Sequence, residues 1–165
     1  MRKVQSVFWR LHWAKLYDQD RQQWRVSDQG GTTRDLRRID GATKVAEQIK
    51  NLTRFLYILG GVAKGIEEVD VAARNNQASP AAVQTNAQNK AVVTSSLENV
   101  RVGLDQLEIY FRSTPELQGY YVKLVGSASG AADAEAQAAA GQFDRSGRTL
   151  LMVVNRLADV LVLMR

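Results

Sequence analysis

Cysteine is absent from the 165-residue chain. That excludes disulfides, thiolate metal sites and cysteine nucleophiles together, and it suits a reducing compartment. Proline occurs twice and histidine once. With so few helix breakers, and without β-branched runs between turn residues, the chain is expected to be all-helical. His12, between Leu11 and Trp13, has no second histidine to complete a usual metal site, so it reads as a structural residue. Glu-x-x-His pairs, which helical bundles use for di-iron centres, are also missing. No apolar run reaches the ~18 residues of a membrane span. The longest, Leu150 to Val154 and Val160 to Met164, are separated by Asn155, Arg156 and Asp159. The N-terminus places Trp9, Arg10, His12 and Lys15 where a signal peptide needs an unbroken apolar core. We therefore expect an uncleaved, cytoplasmic chain that does not cross a membrane.

What is present is helical periodicity. Steps of three and four residues from Ala42 pass through Val45, Ile49, Leu52, Leu56, Leu59, Ala63, Ile66, Asp70 and Ala73, and only Asp70 is not apolar. Such a seam needs covering, because exposed apolar surface costs about 25 cal/mol per Å² relative to burial. It defines a spine helix from about residue 33 to 75, preceded by a helix from 3 to about 24. Gly30-Gly31 is expected to break these two apart, each glycine lowering helix stability by roughly 1 kcal/mol relative to alanine, with Thr32 or Thr33 capping the spine.

Ser79-Pro80 is a cap followed by proline at the first helical position, so a third helix starts there and runs to about Arg112. Its seam is Val93, Leu97, Val100, Leu104, Leu107 and Phe111. The polar half from Gln84 to Lys90 offers only Val83 and Ala87 as apolar contacts, and is expected to project from the core or lie at a wet interface. Thr114-Pro115-Glu116 repeats the cap-plus-proline signature and opens a helix through Leu117, Tyr120, Tyr121 and Leu124. A kink or short break is expected near Ser127 to Gly130, followed by a last helix from about Ala131 to Met164 with Phe143, Leu150, Val154, Leu157, Leu161 and Met164 on one seam.

These elements imply an all-α fold: an up-down antiparallel bundle of four to five long helices with coiled-coil-like seams. Residues 1–165 are read as one domain, with 1–31 a basic aromatic N-terminal arm and 32–165 the bundle body. The net charge of +5 supports that division. Residues 1–50 hold 11 Lys or Arg against 6 Asp or Glu, whereas 51–165 hold 11 of each, and all three tryptophans precede residue 25.

Motifs of catalysis are weak. Gly60-Gly61-Val62-Ala63-Lys64-Gly65 lacks the spacing of a phosphate-binding loop and sits in a helix. Its Gly61-x-x-x-Gly65, like Gly126-x-x-x-Gly130, instead suits close approach of a neighbouring helix. Gly126-Ser127-Ala128-Ser129-Gly130 has alanine where a nucleophile elbow needs serine. Asn51-Leu52-Thr53 matches a glycosylation sequon by chance, and Glu67, Glu68 and Asp70 read as a solvated acidic face. Asp70 either fixes register by pairing with an arginine such as Arg101 or faces water.

The sequence therefore points to a non-enzymatic assembly or adaptor protein with no cofactor, no metal and no small-molecule substrate. Self-association is assigned to Leu56, Leu59, Ala63 and Ile66, giving a homo-oligomer. Partner docking, to a protein in the first instance, is assigned to Trp9, Arg10, Trp13, Trp24, Arg34, Arg37 and Arg38. The alternative is a module that binds an anionic membrane surface or nucleic acid, where cations meet phosphates and aromatics meet headgroups or bases.

Overall fold

A computed structural model describes the backbone of residues 5–165 and the side chains of residues 31–165. All its regular elements are helical: α1 (Gln5–Arg74), α2 (Pro80–Ser113), a 3-10 turn (Pro115–Leu117), α3 (Gln118–Leu124), α4 (Ser127–Ala139) and α5 (Phe143–Leu163). The chain divides into two units, residues 1–38 and 39–165. The second holds the core.

The expected break at Gly30-Gly31 does not occur, because α1 passes through both glycines. Glycine weakens a helix without forbidding one, and a cost of about 1 kcal/mol per residue is small against the length of α1. The separate first helix and the cap at Thr32 or Thr33 go with it. At its far end α1 stops as expected. Asn76 adopts φ 57°, and the amides of Asn76 and Gln77 donate to the carbonyls of Ala73 and Ala72. Asparagine tolerates this left-handed stop better than other side chains.

Ser79 caps α2, its hydroxyl accepting from the Ala82 amide at 3.2 Å with Pro80 in the first turn. Thr114 does not repeat this chemistry. Its side chain makes no cap bond, and the proline instead opens a 3-10 turn that leads into α3.

The break after α3 falls at Val125-Gly126, just before the stretch expected to contain it. Gly126 has φ 90°, a conformation that side chains with Cβ rarely adopt. Three neighbours hold the junction. Glu108 of α2 accepts from the Ala128 amide at 2.9 Å, Arg156 of α5 donates to the Val125 carbonyl at 3.0 Å, and Ser127 donates to the Leu124 carbonyl at 2.7 Å. The continuous helix expected from Ala131 to Met164 is in fact two. Gly141, at φ 77°, ends α4 as a left-handed terminator, with the Gln142 amide donating to the Gln137 carbonyl.

The core joins Val45, Leu52, Phe55, Leu59 and Ile66 of α1 to Val93, Leu97, Leu104, Leu107 and Phe111 of α2. Leu117 and Leu124 close it at the α3 end, and Phe143, Leu150, Val153, Leu157 and Val160 line it from α5. Helix α4 contributes only Ala128, Ala131, Ala134 and Ala138. Its thin apolar face packs against both α2 and α5. Alanine buries little area, but it lets helix backbones approach closely.

Candidate functional site

The seam residues assigned to self-association divide into two classes. Leu59 and Ile66 are buried, 3% and 1% exposed, in the chain's own core. Leu56 and Ala63 are half-buried and pack on its edge. Ile66 is therefore a core residue rather than a surface one, because helices of the same chain already cover that side of α1, and Leu59 belongs to the same core while its edge lines a groove.

An open groove lies along this edge, between α1 and α5. Leu56, Leu59, Gly60 and Ala63 of α1 and Phe143, Gly147 and Leu151 of α5 form its walls, around a volume of about 500 Å³. Lys64 and Glu67 stand on the α1 rim, and Asp144 and Arg148 on the α5 rim. Each rim is braced by i,i+4 ion pairs exposed to solvent, Lys64–Glu68 at 3.8 Å and Arg148–Asp144 at 2.7 Å. Leu151 on the α5 wall is 52% exposed, and beyond the groove α1 exposes Tyr57 (85%) and Ile58 (58%). Gly60, Gly61 and Gly65 would meet no atom of the described residues within 4 Å if given a Cβ. No described helix therefore packs closely on these glycines, whereas at the other small-residue spacing Gly130 lies against α5, where a Cβ would come within 2.8 Å of Val153.

A polar cluster near the end of α1 replaces the pairing considered for Asp70. Its carboxylate accepts from Asn86 Nδ2 at 2.7 Å and pairs with Lys90 Nζ at 2.7 Å. Asn86, only 6% exposed, also donates to the Ile66 carbonyl at 3.3 Å. Arg101 pairs with Glu135 of α4 instead, at 3.0 Å. In the polar half of α2, Val83 and Ala87 are exposed, and Asn86 is the residue that turns inward. Stepping back seven residues from Val93 lands on Asn86, so the signal was present but carried by an amide rather than an apolar side chain. A third cluster sits where Tyr110 donates to Asp40 at 2.5 Å while Lys44 lies 5.1 Å from the Tyr110 ring centroid.

Among the residues assigned to partner docking, Arg34 and Arg37 are exposed. Arg38 is half-buried and pairs with Asp35 at 3.4 Å. Trp9, Arg10, His12, Trp13 and Trp24 lie outside the residues whose side chains are described. Among the described residues, no cluster of His, Cys, Asp and Glu is suited to a metal ion, and no helix is long and apolar enough to cross a membrane. Buried Ser146 is singular: its hydroxyl has no hydrogen-bond partner among the described residues. No family model, curated protein or solved structure matches the chain.

Proposed function

We propose that the chain is a non-enzymatic helical assembly or adaptor protein of the cytoplasm, which self-associates through its bundle and docks a protein partner through the basic aromatic N-terminal arm. In this reading the bundle is up-down and antiparallel, with coiled-coil-like seams. Its supports are the pairs along α1: Asp40 meets Tyr110 near the end of α2, and Asp70 meets Asn86 near its start.

The observation that carries the assembly reading is the α1–α5 groove, where the edge of the core at Leu59 and Phe143 is joined by half-buried Leu56 and Ala63, exposed Leu151 and neighbouring Tyr57 to leave apolar surface open to solvent. Apolar surface gathered beside a groove is the usual mark of an interaction site. Sedimentation equilibrium of the full chain across the micromolar range tests it. A mass that rises with concentration supports the reading, and a compact monomer throughout overturns it.

A second reading is favoured by Arg34 and Arg37, which are exposed and form no ion pair with the described residues. They suit an anionic partner, a membrane surface or nucleic acid. Binding to anionic vesicles or to nucleic acid that weakens steeply with salt supports it; no binding at low salt refutes it.

A further inference from the structure

We infer that the face carrying the α1–α5 groove is covered by a second copy of this chain, related by a twofold axis parallel to the helices, so that α1 of each copy lies over α5 of the other and the two grooves face each other across the axis. The inference rests on the self-association reading and names its geometry. Two contacts set the register between α1 and α5 within one chain. A Cβ placed on Gly41 would lie 2.9 Å from Met164, and one on Gly147 would lie 3.7 Å from Leu59. The two helices therefore run in opposite directions, with Gly41 level with Met164 and Leu59 level with Gly147.

On that register the charges of the two rims are complementary. Lys50, Tyr57 and Lys64 recur at seven-residue spacing on α1, which places them along one flank of the helix. All three are exposed. On α5, Asp144 and Arg148 stand on the facing rim, and exposed Asp159 lies 15 residues beyond Asp144. At 1.5 Å per residue, the lysines are about 21 Å apart and the aspartates about 23 Å apart. Lys64 stands about 4 Å from the level of Asp144 and Lys50 about 5 Å from that of Asp159, within reach of a lysine side chain. Tyr57 is level with Arg148, so a guanidinium of one copy meets an aromatic face of the other.

A twofold axis along the helices preserves these levels while exchanging α1 for α5. Each of the three pairings then forms twice. An axis across the helices instead lays α1 on α1 and, centred on Tyr57, sets Lys50 against Lys64, which like charge disfavours. The strip from Ile39 to Lys64 is about 38 Å long and two helix diameters, ~20 Å, wide. Its area of about 760 Å² is close to the ~800 Å² per partner of a stable interface.

Lys50 and Asp159 form no ion pair among the described residues, which makes them the cleaner pair to reverse. Sedimentation of the full chain is compared for wild type, Lys50→Glu, Asp159→Lys and the double variant, with circular dichroism confirming equal helicity. Each single variant is expected to raise the dimer dissociation constant about tenfold, since both copies of the pair become repulsive, and the double variant to restore it. A dimer indifferent to the single variants, or a double variant no better than either, overturns this geometry while leaving self-association standing. A wild-type chain that stays monomeric overturns both.

Discussion

Replacing Ser146 by alanine should stabilise the protein, against the usual direction of core substitutions. The Ser146 side chain is wholly buried on α5 and its hydroxyl has no partner among the described residues. Burying a hydroxyl without a hydrogen bond costs about 1–3 kcal/mol by protein mutational data. Alanine removes that cost and adds roughly 0.5 kcal/mol of helix propensity. Against this stands a void of about 12 Å³ where the oxygen was, worth roughly 0.3 kcal/mol at ~24 cal/mol per Å³. The net expectation is a gain of about 2 kcal/mol, a rise of roughly 4–8 °C in Tm for a domain of this size. Urea unfolding followed by far-ultraviolet circular dichroism measures it, provided the slope of the transition is unchanged.

Ser127 supplies the internal contrast. It is equally buried, but its hydroxyl donates to the Leu124 carbonyl at 2.7 Å. Ser127→Ala should lose about 1 kcal/mol, the net worth of a typical hydrogen bond. The two variants should therefore differ by about 3 kcal/mol although the chemical change is the same. A Ser146→Ala protein less stable than wild type would refute the reasoning, because it would mean that the hydroxyl is satisfied or that packing outweighs its desolvation.

Gly126→Ala should destabilise by about 1–2 kcal/mol from the left-handed backbone alone. The new Cβ would also lie 2.6 Å from Arg156 Nη1, so Arg156 must give up its place beside the Val125 carbonyl; thermal unfolding of the variant reads both losses together. Asn86→Ala should cost about 1–3 kcal/mol, since it strips a donor from both the Ile66 carbonyl and the Asp70 carboxylate. If that cost comes from orphaned acceptors, Asp70→Ala combined with Asn86→Ala should be less destabilising than the sum of the single changes, as a double-mutant cycle by urea unfolding would show.

Several features were legible in the sequence because their causes are local. Ser79 and Pro80 set the start of α2 through one hydroxyl and one missing amide proton, chemistry that needs no neighbour. The seams through Leu52, Leu59 and Ile66, through Leu97, Leu104 and Phe111, and through Leu150 and Leu157 all point inward, since 3.6-residue periodicity selects the face to be buried whatever covers it. Gly141 was legible in principle too, as glycine after an alanine-rich helix is the commonest stop signal.

Tertiary structure decided the rest, because the sequence gives the face of a helix but not its neighbours. Gly60, Gly61 and Gly65 are as suited to close packing as any small residues, yet the helices of this chain cover a different side of α1. Asp70 has Lys90 and Asn86 beside it rather than Arg101 only because of the register in which α2 packs against α1. Charge and spacing could not choose between those partners; the packing of Leu97, Leu104 and Phe111 against the spine did. The groove beside Leu56 and Ala63 belongs to the same class. Neither helix carries it alone, because its lining comes from the flanks of both α1 and α5 at the edge of a shared core.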